Sequence, residues 1–552
     1  MLDTVLLGIV GALSAQLFTF ILRLSQTFFL TWMAGYRAPG LPEEGGVLQE
    51  VVGPHGLLLI PLAITVGGLI SGVLVYTFAP EAEGHGTDTA VKAFHHTGGL
   101  IRARVPLLKM VASAITIGSG GAAGREGPTA LISAGIGSLY ASLSRRSDDE
   151  RRLLVLVGMA AGLSAIFRSP IGTAFFAIEV LYRDMEFDAA ALFYTMLASV
   201  VAYVINGLFV GWQPLFHIPA NLPAPDFSAY AWYAALGATS GVIATLLPVV
   251  FYGMRDLFQA LPLPPHVKPA LGALAVGLIA LALPQVLGGG YGWIQEAING
   301  RLPVMILLVL LFAKMLAFAF TVSSGGSGGV FAPSLYVGAM LGGFLAELFH
   351  VAPAPFVIVG MAAVFGGAAR VPIATLLMVT EMTGGYHLLV PAALAVLLSY
   401  FVQSILCAPL KYKSLYESQV EGRADSPAHH EEHMRIGLNL LAKAHVPAPT
   451  AIGRLDLLSL LKSGIPVDLP DGQQLSLGVL RPESRWVGTP VDSGAPKSIH
   501  DGAEIIAIFR GGHLLLGDPR IVLQAQDQVM FVAAPTALPE LAKELAPVPA
   551  PE

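Results

Sequence analysis

Residues 118–129 read GSGGAAGREGPT, and residues 323–334 read SSGGSGGVFAPS. The two stretches agree at five of their twelve positions, and each opens an apolar segment. A second pair follows at nearly the same distance: VGMAAGLSAIFRSPIGTAFFAIE at 157–179 and VGMAAVFGGAARVPIATLLMVTE at 359–381 share ten residues. The chain is therefore an internal duplication. Paired apolar segments that are interrupted by glycine and proline are the best sequence-level indication of a transporter binding site.

The composition predicts a membrane protein. Hydrophobic residues make up 54% of the 552 residues and charged residues 12%, with a mean hydropathy of +0.68, which is far from a soluble globule. The N-terminal residues lack a basic leader and a small-residue cleavage site, so we expect a first membrane helix there. The net charge of −6 gives no reason to expect a nucleic-acid partner. Further apolar runs that are long enough to cross a bilayer occur at 56–79, 189–210, 231–252, 303–321 and 388–407.

The chain changes character after about residue 420. Residues 1–420 are the apolar part, and the duplication divides them into halves at about 1–215 and 225–420. Residues 421–465 begin with a polar, His-rich stretch and are predicted to be a linker. The fold predicted for the first part is an all-α polytopic membrane protein whose helices are broken at the glycine loops.

Residues 466–545 have the pattern of a soluble domain. Short alternating runs at 503–510 and 528–534 predict strands, and a short helix is expected at 537–545. The order of these elements resembles the RCK C-terminal (TrkA-C) module of bacterial ion-transport regulators. The resemblance implies a small α+β cytoplasmic domain that dimerises and binds a small-molecule or nucleotide ligand. Regulation of the membrane domain and passive dimerisation are both open at this point.

The two glycine loops indicate an anion site. A helix that opens after a glycine run leaves unpaired N–H groups at its N-terminus, and these carry a positive partial charge that suits an anion. The alternative is that the glycines only allow close helix packing. Packing glycines recur at four-residue spacing within a helix, whereas these cluster just before one, so the anion site is favoured.

Arg125 and Glu126 stand in the first loop where the second loop has Val330 and Phe331. An ionisable residue at membrane depth is costly and indicates a function. The Glu126 carboxylate lies in the first turn of its helix, where it competes with an anion for the unpaired N–H groups. Glu126 is therefore predicted to be a gate.

The chain resembles the chloride channel and chloride/proton antiporter (CLC) family. GREGP at 124–128 and GVFAP at 329–333 match two of the family's three signature loops, and GHGTD at 84–88 stands where the remaining one occurs. KSLY at 413–416 matches the segment that carries a pore-facing tyrosine. The resemblance covers about residues 4–420. It implies a homodimer in the bacterial inner membrane, with one anion pore per subunit, two inverted halves and broken helices that point at the anion.

The resemblance also assigns roles by position. Glu126 would be the gating glutamate, and Tyr416 would donate its hydroxyl to a central anion. Chloride or a similar small anion and membrane lipid are the expected partners; no metal, cofactor or catalytic residue is expected. The anion-binding residues implied in this way are His85, Gly124, Arg125, Gly127, Gly329, Val330, Phe331 and Tyr416.

Two positions depart from the family pattern. His85 stands where a serine is common, which implies either an altered or pH-sensitive anion site or an imidazole that turns away to a carbonyl or to Glu83. Val180 stands where proton-coupled members carry an internal glutamate. Its neighbour Glu179 is a poor substitute, because one residue turns a helix by about 100°. We therefore favour a passive gated anion channel, with chloride/proton antiport as the alternative.

Two further sequence patterns have weaker interpretations. Residues 325–329 fit the G-x-S-x-G pattern, which raises an intramembrane serine hydrolase as an alternative from another class. The first glycine loop has no serine at the equivalent position, so this alternative is disfavoured. Arg102, Arg104 and Lys109 precede a membrane helix and are expected to lie at the membrane interface.

Overall fold

The computed structural model divides into two compact units, Met1–Gln419 and Val420–Glu552. Of the predicted linker, only residues 421–428 are among the described residues, and 429–465 lie outside them. The structure describes residues 1–44, 46–187, 189–219, 227–428, 467–468, 473–489, 498–500, 503–510, 513–515, 521–534 and 536–547.

The first half of the membrane unit contains eight α-helices within the described residues. A π-helical extension, Thr27–Met33, follows the first helix, and a short hairpin pairs β1 (Tyr36–Arg37) with β2 (Val51–Val52). The helices are α1 (Leu2–Gln26), α2 (Ile60–Phe78), α3 (Thr87–His96), α4 (Arg104–Gly118), α5 (Glu126–Leu143), α6 (Asp148–Phe167), α7 (Pro170–Glu179) and α8 (Ala189–Val210).

The second half repeats this order with another eight helices in the described chain. Each glycine loop joins two helices, α4 to α5 in the first half and α12 to α13 in the second. The helices are α9 (Phe227–Ala260), α10 (Lys268–Ala280), α11 (Tyr291–Ile298), α12 (Val304–Ser323), α13 (Phe331–Phe349), α14 (Pro353–Ala369), α15 (Pro372–Thr383) and α16 (Leu389–Cys407).

The helix boundaries follow local sequence signals that occur in both halves of the duplication. Arg168 and Arg370 end α6 and α14 in the left-handed conformation, with φ of 54° and 55°. Pro170 and Pro372 then open α7 and α15, where the missing N–H of proline costs nothing because it would be unpaired anyway. The repeated Arg-x-Pro sequence therefore produces the same sharp corner between two helices in each half.

The membrane-protein prediction is confirmed. Seven helical segments of the described chain are long and apolar enough to cross a membrane, and they include the predicted N-terminal helix. On α1, the side chains of Leu13, Leu17 and Phe20 are exposed, as lipid-facing residues are. The seven segments are Leu2–Met33, Ile60–Phe78, Ala190–Val210, Phe227–Ala260, Val304–Ser323, Phe331–Phe349 and Tyr386–Cys407.

The second unit is a small α+β domain, as predicted. Its strands form one antiparallel sheet in the order β3-β4-β8-β6-β5, with β7 beside β6 and β9 beside β4. A helix, α17 (Leu538–Glu544), precedes the last strand. The strands are β3 (Val467–Asp468), β4 (Gln474–Leu480), β5 (Ser498–His500), β6 (Ala503–Arg510), β7 (His513–Leu515), β8 (Gln528–Ala533) and β9 (Leu545–Pro547).

The sheet of the second unit is held by an apolar core and by an ion pair whose carboxylate is buried. Trp486, Phe531 and Leu541 belong to the core. The Asp527 side chain is fully buried and accepts two hydrogen bonds of 2.8 Å from Arg510, and the bond to Asp527 raises the pKa of this arginine. The pair ties the end of β6 to the turn before β8.

Candidate functional site

The two glycine loops pair with each other. The Gly124 N–H donates to the Gly329 carbonyl (2.7 Å), and the Gly329 N–H donates back to the Gly124 carbonyl (2.6 Å). The backbones approach this closely because side chains are absent: a Cβ at Gly124 would collide with the Glu126 carboxylate, and one at Gly127 with the His85 carbonyl oxygen. The pairing brings the N-termini of α5 and α13, one from each half, to the same place.

Two buried lysines hold the backbone around these loops. Lys109 of α4 donates to carbonyls in the segment 82–84 at 2.6 and 3.0 Å, and Lys314 of α12 donates to carbonyls in 286–288 at 2.6 and 2.7 Å. Neither side chain is exposed. The interface position expected for Lys109 is therefore wrong: its ammonium group is satisfied by carbonyls inside the protein. The sequence contains a sign that the two lysines are equivalent, because they lie 205 positions apart, as the glycine loops do.

The same comparison reveals a third repeat. GHGTD at 84–88 and GGGYG at 288–292 both end a lysine-bound segment and open a helix, α3 or α11. The glycine before each helix has a positive φ, 85° at Gly86 and 83° at Gly290. Tyr291 is therefore the second-half counterpart of a residue in the predicted signature loop, although the two sequences share little beyond glycine.

The Glu126 side chain lies at the start of α5, 1% exposed. Its Oε1 accepts a hydrogen bond of 2.5 Å from the Tyr291 hydroxyl, and the Arg125 Nε lies 4.0 Å away. Its Oε2 has no hydrogen-bond partner among the described residues. The carboxylate thus occupies the loop junction with a hydrogen bond to only one of its two oxygens. The contact with Tyr291 could not be seen in the sequence motifs.

The His85 ring faces the pore-tyrosine position. It packs edge-on against the Tyr416 ring at 5.4 Å between ring centres and lies 6.1 Å from the Phe251 ring. The side chain is buried, and Nδ1 has no hydrogen-bond partner in the part of the chain that the structure describes. The Nδ1 atom without a partner belongs to a ring that packs against Tyr416, which is the arrangement that the first of the two alternatives for His85 requires.

Aromatic rings from both halves pack around the start of α13. The Phe331 ring lies 4.1 Å from the Phe365 ring and 4.4 Å from the Phe167 ring. The Phe176 ring links this group to Tyr416, at 6.4 Å. These rings and Val330, the residue before α13, are buried. Apolar surroundings of this kind strengthen the attraction between unpaired N–H groups and an anion.

The segment that carries Tyr416 is fixed on both sides. The Tyr252 hydroxyl donates to the Leu415 carbonyl (2.8 Å), and the Ser418 N–H and hydroxyl donate to the Asp88 carboxylate at 2.8 and 2.6 Å. Asp88 belongs to the first turn of α3, so the bonds of Ser418 keep the segment around Tyr416 next to the helix that follows the His85 loop.

At the end of α7, next to Val180, the Glu179 carboxylate caps a helix of the other half. Val180 ends α7 and is fully buried. The neighbouring Glu179 carboxylate accepts the N–H groups of Ile373 (3.1 Å) and Ala374 (2.6 Å) at the start of α15. In the other half, the Glu381 carboxylate caps the start of α7 in the same way. Each glutamate is thus held by the helix of the opposite half.

The serine of the G-x-S-x-G pattern is also a structural residue. The Ser327 hydroxyl donates to the Ala82 carbonyl at 2.9 Å and lies 2.8 Å from the Ser113 hydroxyl. Its proton is held by a carbonyl and not by a base, which removes the support for a nucleophile. The described residues contain no group of three His, Cys, Asp or Glu that could hold a metal ion.

Comparisons with known proteins cover both units. The family described as voltage gated chloride channel matches residues 67–404, and the TrkA-C domain matches residues 479–546. A putative chloride channel protein ClcB-like from Ralstonia nicotianae is 30% identical over 423 residues, which cover 74% of this chain and 94% of the relative. An H(+)/Cl(−) exchange transporter ClcA from Cronobacter sakazakii is 29% identical over 417 residues, with coverages of 71% and 88%.

Two solved structures share the fold. A slow cyanobacterial Cl−/H+ antiporter has a TM-score of 0.65 at 22% identity and covers 75% of this chain and 95% of its own. A CLC-type fluoride/proton antiporter has a TM-score of 0.64 at 22% identity, with coverages of 76% and 97%. The predicted inverted-repeat fold with broken helices is thereby confirmed.

Proposed function

Because this chain belongs to the voltage gated chloride channel family, we propose that it carries chloride or a similar small anion past the paired glycine loops, with Glu126 as the gate. The observation that carries the proposal is the half-satisfied Glu126 carboxylate at the N-terminus of α5. An anion and a carboxylate suit the same N–H groups. When the carboxylate is protonated or displaced, the place becomes free for the anion.

The proposed path is lined by groups from both halves. Backbone amides at Arg125 and Gly127 line its outer part, and those at Val330 and Phe331 line its centre, between the gate and Tyr416. Gly124 and Gly329 hold the two loops together through their paired hydrogen bonds. No side-chain charge other than that of the gate is needed, since the helix N-termini supply the positive potential.

We propose passive conduction as the mode of transport. The internal position is the apolar Val180, and both oxygens of Glu179 are bound by backbone N–H groups. Glu179 thus serves as the cap of α15, and a helix cap needs an acceptor but no titratable group. Proton-coupled exchange is the second candidate, and it is favoured by the relatives that are named H(+)/Cl(−) exchange transporters.

Proton pumping separates the two modes. In vesicles that contain the purified full chain, an outward or inward chloride gradient is expected to drive chloride but no uphill proton movement, because no internal carboxylate relays protons. The measurement is a pH-sensitive dye inside the vesicles, with chloride efflux recorded in parallel. Uphill proton movement that disappears in Glu126→Gln would overturn passive conduction in favour of exchange, and absence of any anion flux would overturn both.

His85 is proposed to make anion preference depend on pH. A neutral imidazole offers one N–H donor, and the protonated ring adds a positive charge beside Tyr416. Burial lowers the pKa of His85 to about 4, so the ring stays neutral at mildly acidic pH. The chloride-to-nitrate flux ratio of the wild type is therefore expected to be constant from neutral to mildly acidic pH and to change by about threefold only as the pH falls through about 4. His85→Ser is expected to remove the change, and His96→Ser, at an exposed histidine at the end of α3, should keep it. An unchanged ratio in the wild type would contradict this role.

The protein is a multi-pass membrane protein, and we propose a homodimer in the inner membrane with the TrkA-C domain in the cytoplasm. In that arrangement a small-molecule or nucleotide ligand at the C-terminal domain, or the packing of two such domains, biases the pore.

A further inference from the structure

Two buried groups of opposite charge lie side by side at the gate without binding each other. The Arg125 Nε and the Glu126 Oε2 are both buried, and both lack a hydrogen-bond partner among the described residues. The Arg125 Nε lies 4.0 Å from the other carboxylate oxygen, Oε1, which is too far for a hydrogen bond. A buried donor and a buried acceptor that stay unpaired cost free energy. Another part of the structure therefore holds the two groups apart.

The group that holds Arg125 is the Glu44 carboxylate, which lies in the loop of the β1–β2 hairpin. Its Oε1 forms an ion pair and a hydrogen bond with a terminal nitrogen of Arg125. The side chains of Arg125 and Glu44 are 10% and 24% exposed, so this pair is better shielded from water than a surface ion pair. The far end of the arginine is thus bound by a residue 81 positions away, while its Nε stays unpaired beside the gate.

The backbone of the hairpin loop fixes the position of Glu44. This residue ends a 3₁₀ turn, Pro42–Glu44, and its carbonyl accepts a hydrogen bond of 2.5 Å from the Arg23 guanidinium group at the end of α1. The Gly40 N–H donates to the Val47 carbonyl at 2.9 Å and so joins the two sides of the loop. The Glu44 carboxylate is therefore positioned by α1 and the hairpin, and neither element belongs to the glycine loops.

Three titratable side chains act on the charge of Glu126. Arg125 precedes it in the loop, the Tyr291 hydroxyl donates to it at 2.5 Å from the start of α11, and Tyr416 interacts with its charge. Glu44 acts on Arg125 and Tyr291 from the hairpin. Among these groups only the guanidinium group is positively charged. The carboxylate to which it binds therefore decides how firmly the negative charge of the gate is held in place.

We propose that Glu44 is a positioning residue of the gate, because it keeps Arg125 from forming an ion pair with Glu126. When Glu44 is neutralised, the guanidinium group is free to bind the Glu126 carboxylate, and a charge-assisted hydrogen bond at this buried place holds the gate charged and closed. Protonation of the carboxylate breaks this ion pair, and it then requires a lower pH. The inference rests on the proposed gating function of Glu126.

The test compares the pH dependence of chloride efflux from vesicles for the wild type and Glu44→Gln, as rates per folded protein. The midpoint of each curve is the pH at which flux reaches half of its acidic maximum. In Glu44→Gln the midpoint is expected about one pH unit lower, and flux at the wild-type midpoint about fivefold lower. Glu43→Gln is the matched control, because this carboxylate lies in the same turn but contacts His217 at 2.9 Å and Arg168 at 3.9 Å. Its curve should coincide with that of the wild type.

A double variant separates positioning of the gate from a general effect on the fold. Glu126→Gln removes the carboxylate that the freed arginine would bind. Adding Glu44→Gln to this variant should therefore leave its flux unchanged and independent of pH. A role of Glu44 in folding alone would lower the flux in both backgrounds, without moving the midpoint of the pH curve.

Three results would overturn the proposal. They are a Glu44→Gln curve that coincides with the wild-type curve, a midpoint that moves to higher pH, and an equal change of flux in the Glu126→Gln background. The last result would mean that Glu44 acts on the fold or that the freed arginine acts directly on the anion. Failure of the proposed function looks different: the wild type itself would pass no chloride, or its flux would not depend on pH, and the role of Glu44 would fall with it.

Discussion

Glu126→Gln is expected to raise chloride flux about tenfold at neutral pH, which corresponds to a barrier lower by about 1.4 kcal/mol. The carboxylate lies at the N-terminus of α5 with its Oε2 unpaired and its Oε1 on Tyr291. An amide of the same size keeps an acceptor for the tyrosine but has no negative charge to compete with the anion. The measurement is the initial rate of chloride efflux from vesicles.

The pH dependence of chloride flux is a second measure of the gating role of Glu126. In the wild type, flux is expected to rise as pH falls, because protonation removes the charge that competes with the anion. In Glu126→Gln no such group is present, so flux should be high and independent of pH. A variant whose rate and pH profile both match the wild type would contradict the gating role.

Two controls separate the gate from general effects of charge. Glu50→Gln neutralises a carboxylate that accepts from the Tyr36 hydroxyl at 2.9 Å, in the hairpin and not at the loop junction. It should leave flux unchanged. Tyr291→Phe removes only the hydroxyl that holds Glu126, so we expect a smaller rise in flux that keeps its pH dependence.

The parts of this site that lie within continuous motifs could be predicted from the sequence. The doubled glycine loops predicted the broken helices α5 and α13, and the position of Glu126 in the first turn of its helix followed directly. The strand at 503–510 was predicted with the bounds that β6 has, because alternation between turns is a local signal. In each case the physical cause lies within about twelve neighbouring residues.

What the sequence could not show are the partners that arrive from distant segments. Tyr291 is 165 positions from Glu126, and Lys314 binds carbonyls 26 and 28 positions away. A buried lysine in an apolar helix has the same sequence signature as one that extends to the membrane interface, and only tertiary packing separates them. The 205-residue spacing of Lys109 and Lys314 was the one available hint.

The glutamates of the second repeated motif lead to the other large expected effect. Glu179→Ala is expected to destabilise the membrane unit by about 3 kcal/mol. Its two oxygens accept the N–H groups of Ile373 and Ala374, and the side chain is fully buried. The truncation leaves both donors without a partner where water cannot replace the carboxylate, and it removes a negative charge from the positive end of α15.

Glu381→Ala is expected to cost less, although the two glutamates hold equivalent places. The Glu381 carboxylate caps α7 with more bonds, from the Ser169 hydroxyl and from the N–H groups of Ile171 and Gly172. Glu381 is only half-buried, however, and Ile171 is exposed. At this less enclosed position neighbouring side chains can move toward the freed donors, so the penalty for leaving them unpaired is smaller.

The only cysteine of the chain makes the comparison measurable. Cys407 is fully buried at the end of α16, so a thiol-reactive dye reports unfolding as this side chain becomes accessible. On heating, the transition is expected first for Glu179→Ala, then for Glu381→Ala, and last for the wild type. Glu347→Ala, at an exposed glutamate of α13, should melt with the wild type.

Glu179→Gln then separates a structural role from a proton relay. Its side chain keeps one oxygen to accept an N–H group, so it should melt between Glu179→Ala and the wild type. Because a helix cap needs an acceptor and a relay needs a titratable group, chloride flux per folded protein should be unchanged in Glu179→Gln. Wild-type stability in Glu179→Ala would contradict the cap. If the wild type moved protons and Glu179→Gln lost this movement at normal chloride flux, Glu179 would be the internal carboxylate of a proton relay. The protein would then be a chloride/proton exchanger.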